Sequence, residues 1–123
     1  MKYSRQRELI LNEVIDSKGH PTADEVYDDL KKTNPSLSLG TVYRNLTQLG
    51  KNGMLKKVNI PGDPVRFEAN LTDHNHFICE NCKKIIDINK DTVKFSEKLL
   101  AGQGFKVKSS HVILTGICKE CQK

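Results

Sequence analysis

The first fifty positions carry apolar residues at helical spacing. Between Arg5 and Ser17, the residues Leu9, Ile10, Val14 and Ile15, with Leu11 beside them, share one helical face. Ser4 is placed to cap this helix, and Gly19-His20-Pro21 ends it. Thr22-Ala23-Asp24-Glu25 has the capping-box pattern, and the helix it opens puts Val26, Tyr27 and Leu30 on one side. Asn34-Pro35-Ser36 breaks the chain. Ser38 then caps a third helix with Leu39, Val42, Leu46 and Leu49 on its apolar face. Its other face holds Thr41, Arg44, Gln48 and Lys51, flanked by Tyr43 and Asn45, and Gly50 and Gly53 close it.

The period then shortens. Residues 54–60 and 65–69 read as two strands, and Pro61-Gly62-Asp63-Pro64 between them makes a hairpin. Three helices followed by a hairpin is the winged-helix form of helix-turn-helix. A boundary is expected near residues 70–73, giving one domain over 1–70 and a second over 71–123. The second should hold strands at 76–79, 84–88, 105–108 and 111–117. A helix from Thr92 to Ala101 should be capped by Asp91 and ended by Gly102 and Gly104. The expected class is α+β.

Charge sharpens this outline. The 123 residues carry a formal +5, and neither half is strongly basic. The stretch 31–57, however, holds Lys31, Lys32, Arg44, Lys51, Lys56 and Lys57 and no acid. That places a positive field on the third helix and the start of the hairpin, where a DNA reader needs it. Arg44 can donate two hydrogen bonds to guanine; Thr41, Tyr43, Asn45 and Gln48 can reach bases or phosphates; Lys51, Lys56 and Lys57 would set affinity through phosphates. No apolar run approaches a membrane span, and the basic opening Met1-Lys2-Tyr3 leads into a helix pattern containing Glu8 and Glu13 rather than a signal core. The expected location is the cytoplasm.

In reducing cytosol, four cysteines argue for metal rather than disulfides. They fall as Cys79-x-x-Cys82 and Cys118-x-x-Cys121, spacing suited to four thiolates around one structural Zn²⁺. His74-x-His76 on a strand turns both imidazoles to one side, and Asp87 comes within reach if the next strand pairs. Taken singly, His20 reads as a turn or surface histidine, Glu68 as a solvated strand residue, and His111 as a surface or dimer-contact histidine. No nucleophile–base pair accompanies these groups, so no catalytic residue and no enzyme activity are expected.

Several runs resemble the ferric uptake regulator family: residues 19–27 (Gly19-His20-Pro21 to Tyr27), Ser38-x-x-Thr41-Val42-Tyr43-Arg44-x-Leu46, Arg66-Phe67-Glu68, residues 73–82 (Asp73-His74-Asn75-His76 to Cys82) and residues 116–121. The resemblance implies a homodimeric, metal-dependent repressor. Its N-terminal winged helix would bind a double-stranded inverted-repeat operator, and its small C-terminal α/β domain would dimerise around a Cys₄ zinc site. By position it implies a regulatory metal, Fe²⁺ or Mn²⁺ with Zn²⁺ also suited, held by His20, Glu68, His74, His76 and Asp87. The Asp-His-Asn-His run and Asp87 are most similar to the peroxide-stress branch, in which peroxide oxidises a ligand histidine; His20 and His74 would be the targets. Those sensors usually carry Asp where this chain has Glu68. The alternative is an iron-, manganese- or zinc-sensing repressor without ligand oxidation.

Overall fold

The computed structural model describes residues 4–17 and 19–123. Met1, Lys2 and Tyr3 of the basic opening lie outside the described residues. The chain divides into two compact units, Met1–Leu71 and Thr72–Lys123.

The first unit contains α1 (Arg5–Ser17), α2 (Ala23–Leu30), α3 (Leu39–Lys51) and the antiparallel hairpin of β1 (Lys56–Val58) and β2 (Arg66–Glu68). The capping box forms as the sequence predicts: Thr22 Oγ1 accepts from Glu25 N at 3.1 Å, and Glu25 Oε1 accepts from Thr22 N at 2.9 Å. Ser38 caps α3 by accepting from Thr41 N. Ile10, Val14, Val26, Leu30, Val42, Leu46, Leu49, Leu55 and Phe67 pack into one core. Two residues expected on apolar faces do not join it: Ile15 is 48% exposed and Leu39 37%. Gly50 sits inside α3 rather than closing it. The helix ends at Lys51, and Gly53, at φ +73°, makes the left-handed step that lets Met54 N bond back to Leu49 O at 3.0 Å.

The second unit contains β3 (His74–Cys79), β4 (Ile85–Asn89), a 3₁₀ turn at Lys90–Thr92, α4 (Glu97–Gly102), β5 (Ile113–Gly116) and a closing 3₁₀ turn at Glu120–Gln122. Its sheet has the order β4-β3-β5, with β3 antiparallel to β4 and parallel to β5. The expected helix from Thr92 is shorter. Asn89 Oδ1 accepts from Asp91 N and Thr92 Oγ1 donates to Asn89 O, so this stretch is spent on its own turn and Ser96 caps α4 instead. The strand expected at 105–108 does not form in this chain; that stretch is exposed coil. The strand expected over 111–117 is confined to β5. The buried residues of this unit are His74, Asn75, His76, Cys79 and Cys118. Its aliphatic and aromatic side chains remain partly or fully exposed, Leu99 at 70% and Phe105 at 60%. Helices and sheets segregated in this way make an α+β molecule. Among the described residues no helix is long and apolar enough to cross a membrane.

Candidate metal centres and nucleic-acid face

The cysteine pairs meet at one end of the second sheet. Register carries them there: Cys79 pairs with Gly116 at the end of the β3–β5 ladder, and Cys118 follows two residues on. Gly116 allows this approach, because a Cβ there would lie 3.1 Å from Cζ of Phe77. Lys83, at φ 64°, turns the chain so that Cys79 N reaches Lys84 O and Lys83 N reaches Cys79 O. The four Sγ atoms all lie within 4.8 Å of one another, and Cys82 Sγ is 3.8 Å from Cys118 Sγ. A tetrahedron with Zn–S bonds of about 2.3 Å has edges of about 3.8 Å, so the donor set fits zinc.

The electrostatics agree. Hydrogen bonds from the Cys118 and Cys82 backbone amides pull the Cys79 thiol down to about 6. At Cys121 a hydrogen bond with Asn81 pulls the same way, but Cys118 and Cys79 outweigh it and push that thiol up to about 11. Four thiols this close cannot all ionise unless a cation shares the site.

His74, His76 and Asp87 converge on one face of the β3–β4 pair. His76 stands directly opposite Asp87, and His74 lies two residues along on the same side. Asp87 Oδ1 is 3.3 Å from His74 Nε2 and 3.4 Å from His76 Nε2, and the two Nε2 atoms are 3.1 Å apart. Both imidazoles are buried. Their outer nitrogens are engaged elsewhere: His74 Nδ1 lies 2.6 Å from Thr72 O, and His76 Nδ1 lies 2.7 Å from His111 Nε2. A carbonyl can only accept, so His74 carries a proton on Nδ1, and in the neutral ring this leaves the Nε2 lone pair facing inward. Two donors at right angles, each about 2.1 Å from one ion, lie about 3 Å apart, so the spacing fits a shared metal.

The sequence alone gives His111 as a surface or dimer-contact histidine. It is exposed, yet its ring bonds to a buried candidate ligand. Parallel pairing of β5 with β3, 35 residues apart, brings it there, and no local sequence signal announces that pairing.

In the first unit, His20 Nε2 lies 2.9 Å from Glu68 Oε2, with both side chains buried. The hairpin places this pair. Phe67 N donates to Pro21 O at 2.9 Å, and Thr22 bridges to Arg66. Arg66 holds the arrangement, donating from Nε to Asp63 Oδ2 at 2.7 Å and from Nη1 to His20 O at 3.0 Å and Glu25 Oε1 at 3.2 Å.

The residues expected to read DNA are distributed unequally on α3. Tyr43, Arg44, Gln48 and Lys51 are exposed, and Thr41 is half-buried with its hydroxyl 3.4 Å from Arg44 Nη2. Asn45 is buried and donates to Thr41 O at 2.8 Å, so its amide is engaged within the helix. Arg7, which the sequence reading did not single out, donates from Nη2 to Gln48 Oε1 at 3.0 Å. Lys51, Lys56 and Lys57 line an open hollow of about 520 Å³ with Gly50, Gly53, Leu55 and Leu71.

Residues 1–115 match the ferric uptake regulator family. The chain is 37% identical to the peroxide operon regulator of Bacillus subtilis over 124 residues, covering 100% of this chain and 86% of that protein. The Campylobacter jejuni peroxide stress regulator superposes with a TM-score of 0.72 at 30% identity, covering 94% of this chain and 88% of that one. The Helicobacter pylori ferric uptake regulator, described as having three functional metal binding sites, gives a TM-score of 0.74 at 25% identity, covering 100% and 83%. With a winged helix, a basic α3 and clusters of side chains that could hold metal ions already in place, the match over most of its length establishes that the chain belongs to the ferric uptake regulator family of metal-responsive transcriptional regulators, and is a regulator rather than an enzyme.

Proposed function

We propose that the chain is a homodimeric repressor that releases its operator when peroxide destroys a metal site. Residues 1–70 would bind DNA and residues 71–123 would dimerise. The structural zinc would sit on Cys79, Cys82, Cys118 and Cys121. The regulatory Fe²⁺ or Mn²⁺ would be held by His20, Glu68, His74, His76 and Asp87. The observation that carries this reading is the inward aim of the His74 and His76 Nε2 atoms toward Asp87, each imidazole engaged outward at Nδ1. The similarity to peroxide regulators supports the choice of signal.

Donors taken from both units would make metal binding a lock. A metal that needs His20 and Glu68 together with His74, His76 and Asp87 favours whichever arrangement brings them together, and with it the DNA-competent form. By reciprocity the operator tightens metal binding. On DNA, Tyr43, Arg44 and Gln48 are exposed for base or phosphate contact, with Thr41 beside Arg44. Lys51, Lys56 and Lys57 supply phosphate contacts and salt dependence. Two half-sites about 34 Å apart, or a multiple, would match a two-fold dimer. The exposed apolar residues Phe95, Leu99, Phe105, Val107, Leu114 and Ile117 support a dimer surface on the second unit.

A bound Fe²⁺ would supply the peroxide activation; the His20 or His74 ring held beside it would be the net two-electron reductant, its ring C–H becoming C–OH with one peroxide oxygen while the other leaves as water. Glu68 favours a second reading, in which the same site senses iron, manganese or zinc without oxidation, because the family's peroxide sensors usually carry the shorter Asp there. Mass spectrometry separates the two. Dilute peroxide should add one oxygen to the His20 or His74 peptide of the Fe²⁺ form, leave the Mn²⁺ form unchanged, and abolish operator binding only in the former. No added oxygen, with an operator complex that survives peroxide and is released only when the metal is withdrawn, would support the second reading.

A further inference from the structure

His111 has no ligand role in that proposal, yet it is anchored at the metal cluster. Its backbone is tied on both sides: Lys90 Nζ donates to Ser110 O, Val112 N donates to Asn75 Oδ1 at 2.9 Å, and His76 N donates to Val112 O at 3.1 Å. The His111 and His76 rings meet edge to face at 87°, with centroids 4.9 Å apart, and the contact is the 2.7 Å approach of His111 Nε2 to His76 Nδ1.

We infer that His111 is a positioning residue for the regulatory metal: its Nε2 accepts the Nδ1–H of His76 and fixes the tautomer whose Nε2 lone pair faces His74 and Asp87. The inference rests on the reading of His74, His76 and Asp87 as metal ligands. In a neutral imidazole one nitrogen carries the proton and the other the lone pair, and the hydrogen bond made by the first decides which is which. Thr72 O makes that choice for His74 through a backbone carbonyl, which no side-chain substitution removes. For His76 the same task falls to a side chain. The geometry also separates positioning from ligation. The single Nε2 lone pair of His111 cannot accept the His76 proton and bind a metal at once. The ring thereby joins the metal site to the start of β5, and orients His76 while raising its basicity as a donor.

The test is Mn²⁺ affinity of the zinc-loaded full chain, measured by calorimetry for the unsubstituted protein, H111L, H111Q and H74A. Loss of an outer partner of this kind weakens metal binding by about 10–100-fold, and H111L should fall in that range. H111Q should recover most of the affinity, because its amide oxygen can accept the same proton. H74A should lose binding outright. Wild-type affinity in H111L overturns the inference, as does an H111Q loss equal to that of H111L, which would mark His111 as a ligand or a mere spacer. Failure of the unsubstituted chain to bind Mn²⁺ overturns the underlying metal reading, and the inference with it, and that result is seen separately. Should H111L lose its zinc or unfold, ring ¹⁵N shifts of His76 in the metal-free wild type and H111Q decide the matter. The Nδ1–H tautomer in both supports the inference, and the Nε2–H tautomer in the wild type overturns it.

Discussion

At the scale of single residues, one acid on α1 is poised to titrate near neutrality. Burial raises the Glu13 carboxyl to about 7, helped by a hydrogen bond and charge repulsion from Asp29 and repulsion from Asp16, against a small opposing pull from Lys32. A raised carboxylate keeps its proton in the folded chain after the unfolded chain has released it. The folded state therefore loses stability as pH climbs from 4.5 through about 7. E13Q should remove that slope, gaining about 0.5 kcal/mol at pH 8, the scale of a solvent-screened pair, and nothing at pH 4.5. Urea unfolding at the two pH values checks it; equal gains at both would assign the effect to helix propensity.

The candidate metal ligands are legible in the sequence to very different degrees. The four cysteines announce themselves by spacing, and His74-x-His76 by strand alternation. Asp87 needed the β3–β4 register. Arg66 was part of a recognised motif with no role attached, because its partners Glu25 and His20 lie 41 and 46 residues away. His111 is exposed, as a surface histidine should be, but its contact with His76, 35 residues away, is not legible locally because it depends on the parallel β3–β5 pairing.

At the scale of elements, the three helices were readable because their signals are local. A capping box, an N-cap serine and an apolar stripe all act within a few residues, and the structure agrees with the caps and with the stripes apart from Ile15 and Leu39. The second unit was less readable because its strands depend on distant pairing and its short helix competes with an Asn89 turn. The 105–108 stretch has the alternation of a strand, but strand propensity without a partner edge leaves coil. The exit from α3 gives a clean test of backbone geometry. Gly53 sits at φ +73° with no atom within 4 Å of an added Cβ, so substitution there meets conformational cost and no clash. G53A should destabilise the first unit by about 1 kcal/mol, the left-handed cost of a Cβ, and G53N by less, since Asn tolerates that region. Urea midpoints compare them directly; equal losses would show that something other than φ sets the cost. Because Gly53 precedes β1, G53A should also weaken operator binding through Lys56 and Lys57.

At the scale of the whole molecule, the two units are stabilised by different means. The first has an aliphatic core. The second buries histidines, an asparagine and cysteines, and leaves its large apolar side chains partly or fully exposed, so hydrophobic burial within one chain contributes little. A structural zinc site would supply stability that such a core does not, and can contribute about 10–16 kcal/mol of apparent folding free energy. Removing zinc with a strong chelator, or substituting C118S, should unfold the second unit while the first keeps its helices. Hydrogen exchange resolves the two: β3 amides should lose protection while Val42, Leu46 and Leu49 on α3 keep theirs. Protected β3 amides after zinc removal would defeat the argument. Protons compete for the same thiolates. Acid should therefore strip zinc and structure from the second unit together, with the first unit outlasting both.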